Sequence, residues 1–320
     1  MSTETGSIMR ATIASQPELL RELLADPAPV EAAVERLRGR RVLLAGTGTS
    51  WHAANHGEWL LHAAGVGARA VQAADAALGG PAPTEGDGLL LLSHTGAKRH
   101  AAEVLARARD RGAACVVVGA RGREGVDLTT SERESSSAYT ASHLGALCRL
   151  AQLAGVLGAA LGDLDALPDA VAAALDGPGP GVSPPDRLLE LTGLRPNQWT
   201  AAEGALKARE TARVATEGLT AEQLLHGPLV ALGAGDILVV LDGGGPGTER
   251  LDDVARLAES DGARVHRVRE DALGEHLSIF PLTVAVQRIA LDCAEALGTN
   301  PDVFGYDVPG REPVWEAVGL

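Results

Sequence analysis

The sequence predicts an α/β fold of two similar units, each a parallel sheet flanked by helices. Three observations carry this. Short, nearly continuous apolar runs at 41–46 (RVLLAG), 88–93 (GLLLLS) and 114–119 (ACVVVG) have the composition of strands buried on both faces. Amphipathic stretches such as RHAAEVLARARDRG lie between the runs, and strands alternating with helices form the crossover connections of a parallel sheet. A Pro- and Gly-rich linker, LDGPGPGVSPP at 175–185, divides the chain, after which the scheme starts again.

The elements follow in order. An N-terminal helical segment spans 1–40: residues 8–40 read as helical, broken at ADPAPVEAA, where Pro29 suits the first turn of a new helix. The first unit is expected over 41–175, where GTGTSW leaves the first strand and opens a helix carrying His52 and His56, and a later helix closes at Gly112. The second unit is expected over 186–300, with strands at 186–193, 235–242 and 262–268 and helices at 201–215, 248–260 and 280–297. Residues 301–320 form a C-terminal tail. The junctions RDRGAACVVV and ESDGARVHRV use one pattern twice: helix end, glycine, strand.

Composition narrows the function. A chain of 320 residues, 45% apolar, suffices for about two domains, and an aromatic share of only 2% leaves Ala, Val and Leu to build the cores. It also argues against a base-stacking surface. The formal charge of −14 repels phosphate backbones, so no nucleic-acid partner is expected, and any small anion needs a local positive pocket. Cys115, Cys148 and Cys293 are far apart, odd in number and without a CxxC pair, which fits a reducing cytoplasm. No cationic start followed by an apolar core, and no apolar run of membrane-spanning length, points to export or a membrane.

Two cofactor readings fail on single residues. GTGTSW begins like a dinucleotide fingerprint, but Trp51 stands where its last glycine belongs, and Asp75 is a lone acid. His52 and His56 have zinc-helix spacing, but residue 53 is alanine rather than the glutamate base, so buried helix histidines are expected. Neither cofactor nor metal is expected.

In open α/β sheets ligands sit beyond the carboxyl ends of the strands. There the first unit offers Thr47, Thr49 and Ser50, then Ser93 and Thr95 beside Lys98, then Ser135, Ser136 and Ser137 just before a helix. Small hydroxyls with helix N-termini make a phosphate cradle, although single hydroxyls also cap helices. Of 28 Lys and Arg residues only Lys98 and Lys207 are lysine, which suggests that these two positions need a compact ammonium. Lys207 lies three residues before Glu210 and four after Glu203, hence on one helical face, the spacing of a surface ion pair by default.

EGALKARE followed by LLHGPL, together with GTGTSWHAA, SHTGAKRHAAEVL, TSERESSSAYTA and MRATIASQPELLRELL, resembles the sugar isomerase (SIS) domain family. The resemblance is to the isomerase half of glucosamine-6-phosphate synthase and to the related fructosamine-6-phosphate deglycases, from about residue 9 to about 302. It implies two SIS domains, each a flavodoxin-like three-layer αβα sandwich, and a homodimer or higher homo-oligomer. It further implies phosphate at Gly48, Thr49, Ser50, Ser93, His94 and Thr95 with Lys98 beside them, sugar contacts near Ser135 and Ser136, and substrate binding by Lys207. Glu210 would move the proton between C1 and C2, and His226 would open the sugar ring, often across a subunit interface. Three departures follow: no glutaminase domain is expected, Ala97 and Lys98 replace an acid and a threonine, and FGYDVPGREPVWEAVGL lacks the family's terminal Schiff-base lysine. The implied activity is aldose–ketose isomerisation of a sugar or amino-sugar phosphate, with deglycation of a fructosamine 6-phosphate or non-catalytic phosphosugar sensing as alternatives.

Overall fold

The computed structural model describes residues 5–303 together with Gly305 and Val308. Most of the tail expected over 301–320, including the stretch compared with the Schiff-base segment, lies outside the described residues. The chain opens with three helices, α1 (Ser7–Ala14), α2 (Gln16–Ala25) and α3 (Ala28–Leu37). Pro17 and Pro29 fall in the first turns of α2 and α3, where a missing N–H costs no hydrogen bond.

The first sheet follows, from β1 (Arg41–Gly46) through α4 (Thr49–Ala63), β2 (Ala68–Gln72), α5 (Ala73–Ala77), β3 (Asp87–Leu92), α6 (Arg99–Asp110), β4 (Ala114–Gly119) and β5 (Leu128–Thr129). All pairings are parallel, in the order β2-β1-β3-β4-β5. Helices α7 (Ala141–Val156) and α8 (Leu167–Asp176) close this half. The linker then runs without a regular element to β6 (Leu189–Gly193), α9 (Asn197–Thr211), β7 (Thr216–Thr220), α10 (Ala221–Leu225), β8 (Ile237–Asp242), α11 (Thr248–Ser260), β9 (Arg264–Arg269) and α12 (Ile279–Ala296). This second sheet is also all parallel, in the order β7-β6-β8-β9.

In each sheet the chain first adds a strand on one side of the opening strand and then continues on the other. The switch points are therefore β1/β3 and β6/β8, where a crevice opens at the strand ends. The expected strand at 186–193 is shorter, because residues 186–188 lie outside β6. The helix expected at 201–215 starts earlier and ends sooner, because it begins directly after Pro196. Helix α9 thereby carries EGALKARET through its central and C-terminal turns.

The two halves share helices. Ile279, Phe280 and Val284 at the start of α12 pack into the core of the first sheet with Leu44, Leu90, Leu147 and Leu150. Met9 and Ile13 of α1 pack instead with Leu189, Leu191 and Val286 around the second sheet. A buried hydrogen bond from Gln16 to Gln287 (2.5 Å) ties the N-terminal helices to α12. No described helix is long and apolar enough to cross a membrane.

Candidate active site

Two glycines let α4 and α9 start close to the ends of their strands. Gly46, at the end of β1, sits where a Cβ would collide with the Ser50 carbonyl, and Gly193, at the end of β6, where it would collide with that of Asn197. The two helices then pack on each other, so that side chains from both halves meet.

At that contact Glu203 is fully buried and accepts from Thr49 Oγ1 (3.0 Å) on one oxygen and from His52 Nδ1 (2.7 Å) on the other. Lys207, also buried, places Nζ 3.5 Å from Glu203 and 2.6 Å from Glu210. The spacing that by default marks a surface pair is here internal. Burial pushes the Glu203 carboxyl up, but the Lys207 charge and the His52 hydrogen bond outweigh it and hold the group below the carboxylate range. Burial lowers Lys207, yet Glu210 and Glu203 outweigh that and keep it a firm ammonium. For Glu210 burial wins over the attraction of Lys207, and its carboxyl is held above its ordinary value. An ammonium thus lies between two carboxylates of opposite tendency, one permanently charged and one poised to take up a proton.

Aromatic rings stand beside this cluster. Trp51 and Trp199 meet edge to face at 5.2 Å, and the His52 ring lies 5.4 Å from Trp51 and 6.4 Å from Trp199. Tyr139 packs on His94 at 5.4 Å, and its hydroxyl is pushed up by burial while feeling the charges of Lys207 and Glu210. The β3–α6 loop and the segment before α7 therefore approach the α9 pair.

In the β3–α6 loop, Ser93 is buried and its carbonyl accepts from the Arg123 guanidinium. The same guanidinium lies against Gly96, at φ 71°, where a Cβ would collide with it. His94 is lowered by burial, and its Nε2 is buried without a partner. Thr95 Oγ1 accepts from the Ala97 N–H (3.3 Å), and Lys98 stands exposed at the N-cap of α6. Among the described residues Lys98, Arg123 and Arg133 have no carboxylate partner, so positive charge gathers here in a chain of charge −14. Gly48 holds the turn before α4 at φ 57°, a conformation that favours glycine.

The remaining sequence expectations divide. Thr49 belongs to the cluster, where its hydroxyl donates to the Glu203 carboxylate. Ser50 follows it in the first turn of α4. Ser135 is exposed, whereas Ser136 is buried and its hydroxyl turns to the Pro301 carbonyl (3.5 Å). The N-terminus of α7, which follows the serines expected in a phosphate cradle, is occupied by Glu134, whose carboxylate accepts from the N–H groups of Thr140 (2.9 Å) and Ser142 (2.8 Å). His226 sits at the C-cap of α10, 80% exposed and 3.5 Å from Glu222, and among the described residues no hydrogen bond or ion pair joins it to Lys207 or Glu210. Sequence reasoning missed His52 as a partner of Glu203, along with Glu134, Tyr139 and Arg123. The aromatic scarcity that makes Trp51, Tyr139 and Trp199 conspicuous was the available signal. Among the described residues no group of His, Cys, Asp and Glu could hold a metal. A hollow of about 440 Å³ at the other end of the first sheet, lined by Arg41, His62 and Asp87, lies at the strand starts, where Arg41 is already paired with Asp87.

Residues 38–123, which contain β1, α4, the Ser93–Lys98 loop and Arg123, match the family model of the SIS domain. The chain carries a SIS domain. Over 120 residues it is 34% identical to glutamine–fructose-6-phosphate aminotransferase (isomerizing) of Pyrococcus horikoshii, a match covering 33% of this chain and 20% of that protein. The chain thus matches about a fifth of the length of that curated relative. Three solved structures extend the similarity of fold beyond the SIS domain to both sheets. The C-terminal domain of glucosamine-fructose-6-phosphate aminotransferase from Francisella tularensis superposes with a TM-score of 0.76 at 17% identity, covering 94% of this chain and 99% of that one. Tagatose-6-phosphate ketose/aldose isomerase from Escherichia coli gives 0.76 at 20% identity, covering 93% and 95%. Glucosamine-6-phosphate deaminase from Thermotoga maritima gives 0.75 at 18% identity, covering 92% and 97%.

Proposed function

We propose that the chain is a phosphosugar-binding enzyme that interconverts the aldose and ketose forms of a sugar or amino-sugar phosphate. The observation that carries this reading is Glu210: a carboxyl raised by burial, 2.6 Å from a permanent ammonium, near a SIS loop rich in hydroxyls and unpaired cations. The name of the Escherichia coli isomerase, which shares the fold, is in line with it.

In the open-chain aldose Glu210 takes the proton from C2. The C–H electron pair becomes the C1=C2 bond of an enediolate, and the carbonyl pair moves onto O1. Lys207 faces that developing charge. Protonated Glu210 returns the proton to C1, and transfer of the O2 hydroxyl proton to O1 completes the ketose. Ser93, Thr95, Lys98 and Arg123 hold the phosphate. Ring opening falls to His226 from a second subunit of a homodimer, since the single chain leaves that imidazole exposed at α10. The phosphate loop belongs to a first unit of 41–175 and the Lys207–Glu210 pair to a second of 186–300. A cytoplasmic setting completes the proposal; the free thiols of Cys148 and Cys293, pushed by burial to about 12 and about 11, fit it.

NMR in D₂O with hexose 6-phosphates and fructosamine 6-phosphates tests the reading. Deuterium entering C1 or C2 is the expected result. Release of free amine would assign deglycation instead, and binding with neither would assign a sensor.

A further inference from the structure

We infer that His52 is a positioning residue for the Lys207–Glu210 pair, acting through Glu203 across the contact between the two halves of the chain. Its kinetic consequence rests on the isomerase reading, whereas its structural consequence does not.

Glu203 and its donors lie on different helices, 154 residues apart for Thr49 and 151 for His52. A fully buried carboxylate is tolerated only when its oxygens are served by donors or cations. Three groups do so: Thr49 on Oε1, His52 on Oε2, and Lys207 at the looser distance of 3.5 Å. The Lys207 ammonium therefore stands between two competing carboxylates and leans toward Glu210, at 2.6 Å. How far it leans depends on how much of the Glu203 charge the two donors on α4 already satisfy. Without the His52 donor that charge falls on Lys207, the ammonium moves toward Glu203, and Glu210 loses its partner.

The surroundings of His52 suit this task. Trp51 and Trp199 fix the ring plane, and a carboxylate at Nδ1 requires that nitrogen to carry the proton. The groups that face His52 are Glu203 and Glu210 on α9, His56 on its own helix and His143 on α7. His56 and His143 are buried with all four ring nitrogens unpartnered, and burial holds both down, His143 at about 4. Both stay neutral and offer Glu203 no hydrogen bond. Among the described histidines the role falls to His52.

Having two lysines makes the test direct. In the full chain labelled with ¹⁵N-lysine, a solvent-protected Nζ signal is expected from buried Lys207 and an exchanging one from exposed Lys98. His52→Phe keeps a ring between the tryptophans and removes the donor, so the Lys207 signal should shift or broaden. His52→Asn, whose amide can donate toward the same oxygen, should restore it. Thr49→Val removes the other donor and should move the signal in the same direction, which keeps the test open if His52→Phe does not fold. In turnover assays His52→Phe should lower kcat, by up to about 100-fold for a displaced reacting group, with little change in KM, and His52→Asn should recover most of the loss. An unchanged Lys207 signal in both His52→Phe and Thr49→Val would overturn the inference. If the signals respond as stated but the wild-type protein turns over no sugar phosphate, the positioning role stands and the isomerase reading falls.

Discussion

The crevices at the two switch points have one topology and opposite chemistry. At β1/β3 the loops carry Ser93, Thr95 and Lys98, with Arg123 and Arg133 free of carboxylate partners among the described residues. At β6/β8 the corresponding loops carry Arg195 and the glycine run Gly243–Gly245, but Glu275 is ion-paired with Arg195 and lies against Gly245. Asp271 lies against Gly244, Asp242 accepts from its N–H (2.9 Å), and a Cβ on Gly243 would collide with Ser278 and Asn197. One crevice gathers hydroxyls and cations without carboxylate partners; in the other the acids Asp242, Asp271 and Glu275 are matched by Arg269 and Arg195. An identical arrangement of strands thus leaves ligand choice to side chains. In the proposed site the second half contributes through a helix rather than its loops, with Lys207 and Glu210 on α9.

The strand interiors differ too. Leu89 to Leu92 of β3 and Val116 to Val118 of β4 are apolar and buried, whereas β6 buries Glu190 with one oxygen unpartnered. Glu190 lies in register with Glu217 of β7, and burial together with that neighbouring charge pushes its carboxyl up to about 8. The interiors of β3 and β4 are apolar, whereas β6 carries an ionisable group that can change stability with pH.

The largest expected effect breaks the first contrast. Glu210→Gln should lower the rate of deuterium incorporation by about 10²–10⁴-fold while sugar-phosphate binding persists, whereas Glu275→Gln in the second crevice should leave the rate in place. On the proposed role of the ionised Glu210 carboxylate as base, its raised pKa makes wild-type kcat/KM climb with pH through a value above the ordinary glutamate range.

Next comes Glu190. A carboxyl raised in the folded state gives its full contribution below the unfolded value near 4.3 and loses it as pH rises through about 8. Urea unfolding should therefore find the wild type less stable at pH 8 than at pH 5 by on the order of 3–5 kcal/mol from this group. Glu190→Gln should remove that component, and a pH-independent difference between the two proteins would refute the assignment.

A smaller effect sharpens the contrast between crevices. Ser93→Ala with Thr95→Ala should weaken calorimetric binding of a sugar phosphate by about 1–3 kcal/mol and of the unphosphorylated sugar far less. Thr248→Ala, at the start of α11 in the second half, should change neither. The smallest expected change is none at all. Lys207 is held as an ammonium between two carboxylates, so borohydride with substrate should leave the protein mass unaltered, and a substrate-sized adduct on Lys207 would show covalent chemistry instead.

Much of the fold was legible because strand burial and helical periodicity are local patterns. The runs at 41–46 and 114–119 coincide with β1 and β4, and 248–260 with α11. The strands overlooked, β2, β5 and β7, sit at sheet edges or are two residues long, where half-exposed side chains leave no continuous apolar run. At the site, the Lys207–Glu210 spacing could be read because partners three apart share a helix face.

By itself, then, the sequence determined the alternation of strand and helix and which short segments carry hydroxyls, lysines and acids, all properties of neighbours along the chain. Tertiary structure alone decided that Thr49 and His52 serve Glu203, that Glu134 occupies the start of α7, that Arg123 leans on Ser93 and Gly96, and that Glu203 and Lys207 are buried. The physical reason is that hydrogen-bond partners and dielectric surroundings are set by what packs alongside. For Glu203 that neighbour comes from a helix more than 150 residues away, in the other half of the chain.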